Sequence, residues 1–239
     1  MIQTIPYANL ALAFIPVLIV IAIVGRWNLG YRGSLYAVAR MLLQLLLIGY
    51  ALTFIFQTES VWVVLCVLSV MLASASWIAL RTMKLPRKTL YGKSFVAILL
   101  GGGSTLILMS QLVLALTPWY LPRYMIPLAG MIFASSMNSI SLAGERLEAE
   151  MSREVPYQKA KSIALQASLI PITNSLFAVG LVSLPGMMTG QILSGTSPMI
   201  AVRYQIMVMC MIFGAAGISA ALFLTWIKRD HLPSSGAES

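Results

Sequence analysis

The feature that most constrains this chain is a recurrence: long stretches without a single charge, separated by short clusters of Lys and Arg. A helix needs roughly 17–25 apolar residues to cross the hydrocarbon core of a bilayer. Seven stretches meet that length, at about Tyr7 to Val24, Leu35 to Phe56, Val61 to Leu80, Ser94 to Leu116, Tyr124 to Gly144, Ser162 to Val182 and Tyr204 to Ile227. The pattern predicts an all-α fold, a polytopic membrane helix bundle of about seven transmembrane helices. Composition agrees, with 59% hydrophobic and 10% charged residues, where a soluble domain carries about a quarter charged.

The charges also predict orientation. Alternating the connecting segments between two sides gathers Arg26, Arg32, Arg81, Lys84, Arg87, Lys88, Lys93, Arg146, Arg153, Lys159, Lys161, Lys228 and Arg229 on one side. Arg123 and Arg203 fall on the other, and Arg40 lies within a span. Cytoplasmic loops collect Lys and Arg, so the N-terminus is expected outside and the C-terminus inside. Labels at Lys88 and Lys159 should then react from the cytoplasmic side, and one near Gln57 from outside. No basic residue precedes the first apolar run, which fits a retained helix better than a cleaved signal. One transmembrane domain, residues 1–230, and a short disordered cytoplasmic tail, 231–239, are expected.

Several functions are excluded by inventory. The net charge of +9 is spread over loop clusters and forms no continuous stripe, so no nucleic acid partner is expected. Cys66 and Cys210 sit inside apolar stretches and His231 is the sole histidine, which removes disulfide frameworks, histidine metal sites and a Ser-His-Asp triad. The spans hold no Asp or Glu, the groups with which carriers commonly take up a coupling proton.

The polar residues that remain are the candidates. Arg40 and Gln44 share one face of the second span; Arg40 either turns to a pathway or snorkels to the interface. Ser135, Asn138 and Ser141 share a face of the fifth span, and Thr173 and Asn174 follow Pro171 in the sixth. Such stripes favour interhelical hydrogen bonding over substrate contact. Gly101-Gly102-Gly103-Ser104-Thr105 lacks the lysine of a phosphate loop and is read as a close-packing or kink site. The fifteen methionines are read mainly as flexible packing, with a soft-ion path as the alternative.

Two segments depart from the pattern. Ser183 to Pro198, SLPGMMTGQILSGTSP, is uncharged, glycine-rich and partly polar, which suits a re-entrant or broken-helix gate shielded by protein. Its candidate residues are Pro185, Gly186, Met187, Met188, Thr189, Gly190 and Gln191. Pro185 and Gly186 are expected to end the sixth helix, Gly186 by taking positive φ. Glu145 to Lys161 starts as a charged helix interrupted by Pro156, either a solvated connector or a docking surface. Glu145 and Glu148 would offer a joint acidic edge. In the last span, Gly214, Gly217 and Ala221 are expected to permit close helix approach.

Val179 to Val208, VGLVSLPGMMTGQILSGTSPMIAVRYQIMV, together with Ser136 to Glu150 and Ser168 to Leu181, resembles one membrane family: the bacterial iron-export ABC-transporter permeases and the related plant aluminium-sensitivity membrane subunits. The resemblance runs over essentially the whole chain. It implies a multi-pass cell (inner) membrane permease subunit, not itself an enzyme, which pairs as a homodimer with a soluble ABC ATPase. No cofactor would bind this chain; ATP and Mg would sit on the partner. The gate and translocation path would include Arg40, Gln44, Asn138, Asn174 and Pro185 to Gln191, and Glu145, Arg146, Glu148 and Glu150 would form the coupling helix. Iron or another metal or metal complex is the implied cargo. Hard iron ions prefer carboxylate and imidazole ligands that the spans lack, so a chelate, or brief contact with Asn138, Asn174, Gln191 and backbone carbonyls, suits the residues better. The alternatives are an ATPase-independent channel or carrier, and plant-like nucleotide-sugar or aluminium-tolerance transport.

Overall fold

The computed structural model describes residues 5–57 and 60–227. The expectations for Lys228, Arg229 and the 231–239 tail lie outside the described residues. The described chain is helical throughout, without a strand beyond one isolated bridge between Val179 and Ser183. It divides into two compact units, residues 1–58 and 59–239.

The first unit contains α1 (Tyr7–Leu12), α2 (Ile15–Arg26) and α3 (Tyr31–Ile55). Proline sets the entries: Pro6 precedes α1 and Pro16 stands in the first turn of α2, where a missing N–H costs nothing. Asn28 and Gly30, both at positive φ, turn the chain into α3. None of these helices contains a buried residue.

The second unit is built from α4 (Val61–Ala79), α5 (Arg87–Ile107), α6 (Pro122–Met151), α7 (Tyr157–Ala178), α8 (Gly186–Leu193) and α9 (Pro198–Trp226). A π-helical segment, Leu108–Val113, continues α5. Proline again marks the entries, at Pro86, Pro122, Pro156, Pro185 and Pro198. α6 is the hub, packed against α4, α5, α7 and α9. Leu90, Ile98, Ile132, Ile140, Leu147, Met211, Phe223 and Leu224 are fully buried around it.

Lipid is as apolar as these side chains, so close packing and interhelical hydrogen bonds hold such a bundle together. Both are visible. A Cβ on Gly101 would meet Ser219 Oγ at 2.5 Å and its backbone nitrogen at 2.8 Å; one on Gly102 would meet Ile132 Cγ2 at 2.9 Å. The glycine run thus lets α5 approach α9 and α6 at backbone distance. Ser219 donates to Ser136 Oγ (3.0 Å), Ser136 to the Ala215 carbonyl (3.2 Å) and Ser135 to the Ile212 carbonyl (3.1 Å). Ser141 pairs with Thr82 at 2.9 Å. Each such bond is worth about 0.6 kcal/mol. Ser135 ties α6 to α9, and Ser141 ties α6 to the loop between α4 and α5.

Among the described residues six helical stretches are long and apolar enough to cross a membrane: Tyr7–Arg26, Tyr31–Ile55, Val61–Ala79, Arg87–Val113, Pro122–Met151 and Pro198–Trp226. The expected sixth span corresponds to α7, which has the length but is not among the six. It also ends at Ala178, before the expected Val182.

Candidate functional site

The uncharged segment after α7 folds as a broken helix. Val182 and Ser183 both donate to the Ala178 carbonyl, and Gly180, at φ +82°, donates to the Ser183 carbonyl. The chain reverses at Gly180, a conformation glycine alone adopts freely. This corrects the role expected of Gly186, which stands in the first turn of α8 outside the positive-φ region, with open space where a Cβ would go. Pro185 is the N-cap of α8. The second positive-φ turn, at Gly195, leads from α8 to α9.

α8 packs beside the start of α9, and a cavity of about 370 Å³ lies between α8, α9, α6 and Leu114. Met187 and Gln191 come from α8, Tyr204 and Met207 from α9, Arg123 and Tyr124 from α6. Gln191 lines the cavity, and its Oε1 atom is buried without a hydrogen-bond partner. Two phenols and one guanidinium stand near it. Of the remaining gate candidates, Thr189 donates to the Pro185 carbonyl (3.1 Å) and stabilises its own turn, while Met188 and Gly190 do not line the cavity. Sequence reasoning missed Arg123, Tyr124 and Tyr204. Arg123, one of only two basic residues assigned to that side, was the available signal.

A second, smaller cleft of about 170 Å³ separates α6 from α7. Asn138, Ser135 and Ser139 line it from α6, Ser168 and Ser175 from α7. Asn174 is exposed on α7 but does not line this cleft. Arg40 and Gln44 are exposed on α3, in the other unit, where Gln44 lines an apolar groove with Leu45, Leu47, Ile48 and Ala51. Among the described residues Arg40 has no ion-pair partner.

At the opposite end of the bundle the expected coupling helix is the last two turns of α6, which runs unbroken to Met151. Both oxygens of Glu148 accept backbone bonds from the loop before α5: Lys84 N donates at 2.9 Å and Leu85 N at 3.1 Å. The buried Glu150 carboxylate pairs with Arg146 at 2.7 Å and Arg153 at 3.5 Å. Only Glu145 stays exposed. The joint acidic edge of Glu145 and Glu148 is therefore absent, because Glu148 serves as a staple between α6 and the α4–α5 loop. Gly144 makes room for that loop; a Cβ there would lie 2.5 Å from Met83 Sδ. Tyr157 donates to the Leu224 carbonyl (3.1 Å) and to that of Ile227, and Lys161 Nζ donates to Thr225 Oγ1 (2.9 Å). These contacts tie the start of α7 to the end of α9.

In the last span the close approach falls at Ser219, facing Gly101. A Cβ on Gly217 would meet Leu169 of α7 at 3.8 Å, an ordinary contact, and one on Gly214 would meet open space.

Six bilayer-length apolar helices, buried glycine contacts and serine ties define a multi-pass helical membrane protein. The chain belongs to the uncharacterised protein family UPF0014, whose sequence profile matches residues 7–232. It is 40% identical over 214 residues to a UPF0014 membrane protein of Synechocystis sp., covering 82% of each chain. It is 34% identical over 238 residues to the probable iron export permease protein FetB of Escherichia coli, covering 92% of this chain and 90% of that one. Identity to the protein ALUMINUM SENSITIVE 3 of Arabidopsis thaliana is 33% over 236 residues, 90% and 84% of the two chains. No solved structure matches.

Proposed function

We propose that this chain is the transmembrane permease subunit of an ATP-driven ABC transporter that exports iron, or another metal or metal complex, from the cytoplasm. The observation that carries the reading is near full-length similarity to a relative named a probable iron export permease. Two copies would form the membrane part, crossing the cell (inner) membrane seven times each with the N-terminus outside. A soluble ATPase would dock on the cytoplasmic face and supply ATP and Mg. In this orientation the Glu148 staple and the Glu150 pairs brace the docking face from within, and Glu145, Arg153 and Glu154 remain exposed for contact. The cavity at Met187 and Gln191 would be the external gate.

The cargo would cross as a complex. Among the described residues no three His, Cys, Asp or Glu side chains converge, whereas a bare hard cation needs such ligands. Gln191 and the two cavity tyrosines suit the hydrogen-bonding periphery of a chelate.

The test is co-purification with a soluble ATPase, followed by vanadate-sensitive metal efflux in vesicles. Association and vanadate-sensitive efflux are expected. Transport unaffected by vanadate, with no ATPase bound, would identify an ATPase-independent channel or carrier.

A further inference from the structure

α7 poses a problem that the other long helices do not. Its 22 residues give it crossing length, and its contacts place it at the same depth as α9. Tyr157 bonds carbonyls at the end of α9, Lys161 reaches Thr225, and further along Leu169 faces Gly217. The two helices therefore run antiparallel through the same layer. Yet α7 is not apolar enough to count among the membrane-crossing helices.

Its outer face contributes to this. Ala160, Ala164 and Ser168 are buried against the bundle. On the other side Ser162, Gln166, Ile170, Asn174 and Phe177 are exposed, so the amides alternate with apolar side chains. Ser162 satisfies its hydroxyl on the Gln158 carbonyl. The Gln166 and Asn174 amides make no hydrogen bond among the described residues. Two amides turned to hydrocarbon without partners are strongly disfavoured. α5, which flanks the same two helices, turns Val96, Leu99, Leu100 and Ile107 outward instead.

The neighbouring cleft adds hydroxyls and one amide among apolar residues, Leu142, Ile172 and Ala216. Asn138 is exposed at its mouth, with Ser135, Ser139 and Ser168 behind it. Pro171 lines the cleft as well and lacks an N–H, so the Ala167 carbonyl loses its intrahelical donor. All these groups are neutral, and together they both donate and accept.

We infer that the outer face of α7, with Asn138 of α6, lines a water-filled path through the membrane. The solute on it is held by neutral amide and hydroxyl contacts and travels hydrated or enclosed by a ligand. The inference deepens the permease reading, which supplies the energy and direction; water at α7 is a separate observable.

The test uses the full chain in membrane vesicles, with Cys66→Ser and Cys210→Ser as background. Single cysteines are placed at Gln166 and Asn174, and at Leu99 and Ile107 as lipid-facing references. Each is treated with the permanently charged reagent 2-(trimethylammonium)ethyl methanethiosulfonate, and residual thiol is counted after denaturation. Gln166→Cys and Asn174→Cys should react at least about 50-fold faster than Leu99→Cys and Ile107→Cys, because the charged reagent is excluded from hydrocarbon. Equal, slow reaction at all four positions overturns the path, even in a chain that transports. Fast reaction at Gln166 and Asn174 in a chain that binds no ATPase supports the path and removes the permease reading instead.

Discussion

α5 and α7 flank the same pair of helices, α6 and α9, and solve the membrane problem in opposite ways. α5 drives backbone against backbone: Gly101 and Gly102 abut Ser219 and Ile132, and eight of its residues are buried. From Val96 to Ile107 its exposed residues are apolar except Ser104, whose hydroxyl bonds the Gly101 carbonyl of its own helix. α7 buries three residues, Ala160, Ala164 and Ser168, meets α9 at ordinary contact distance, and turns amides outward. The difference separates a helix that builds the wall from one whose second face needs water or protein. Two helices of similar length and neighbourhood thus carry different duties, and the duty is set by what each places opposite its packed face.

The largest effect is expected where α5 is tightest. Gly101→Leu should destabilise the bundle by about 3 kcal/mol, since the neighbouring atom is Ser219 backbone and cannot rotate away. Gly217→Leu, on the α7 side of α9, should cost about 1 kcal/mol or less, because Leu169 has rotamers to spare. Thermal unfolding of the two purified variants in detergent compares them; equal losses would erase the contrast in packing.

Exchanging the outer faces gives the next effect. Leu99→Gln should lower stability by about 2 kcal/mol by turning an unpaired amide to lipid. Gln166→Leu should change stability by less than about 0.5 kcal/mol while reducing transport. The same unfolding assay applies, with vesicle efflux as the second readout. A Gln166→Leu chain stabilised by as much as Leu99→Gln is harmed would mean that α7 faces lipid.

The smallest effect concerns the end of α7. Gly180→Val should cost about 1.5 kcal/mol through its left-handed backbone. Gly186→Val, in an open first helical turn, should fall within about 0.5 kcal/mol of the parent. Limited proteolysis of the α7–α8 connection reads this out, and faster cleavage in the Gly186 variant would reverse the assignment.

Much of this was legible in the residues. Apolar runs of bilayer length required helices, prolines marked most entries, and Gly101 to Gly103 announced a close crossing, because hydropathy and steric bulk are local properties. The broken helix after α7 was likewise announced by Pro185, Gly195 and the lack of charge. Partners were not. Nothing local told that Glu148 would be consumed by the backbone of Lys84 and Leu85, sixty-odd positions away, or that Arg123 would border the cavity of Met187 and Gln191. The turn at Gly180 rather than Gly186 depended on where α7 stopped, which periodicity bounds only to within a few residues. α7 itself shows the limit most plainly. Gln166 and Ser168 are two residues apart and point roughly 200° apart on a helix, so composition averaged them into one weakly apolar span. Packing against α6 and α9 turned the serine inward, where it bonds the Leu165 carbonyl, and left the amide outside, because only a small hydroxyl satisfied within its own helix fits between closely packed helices.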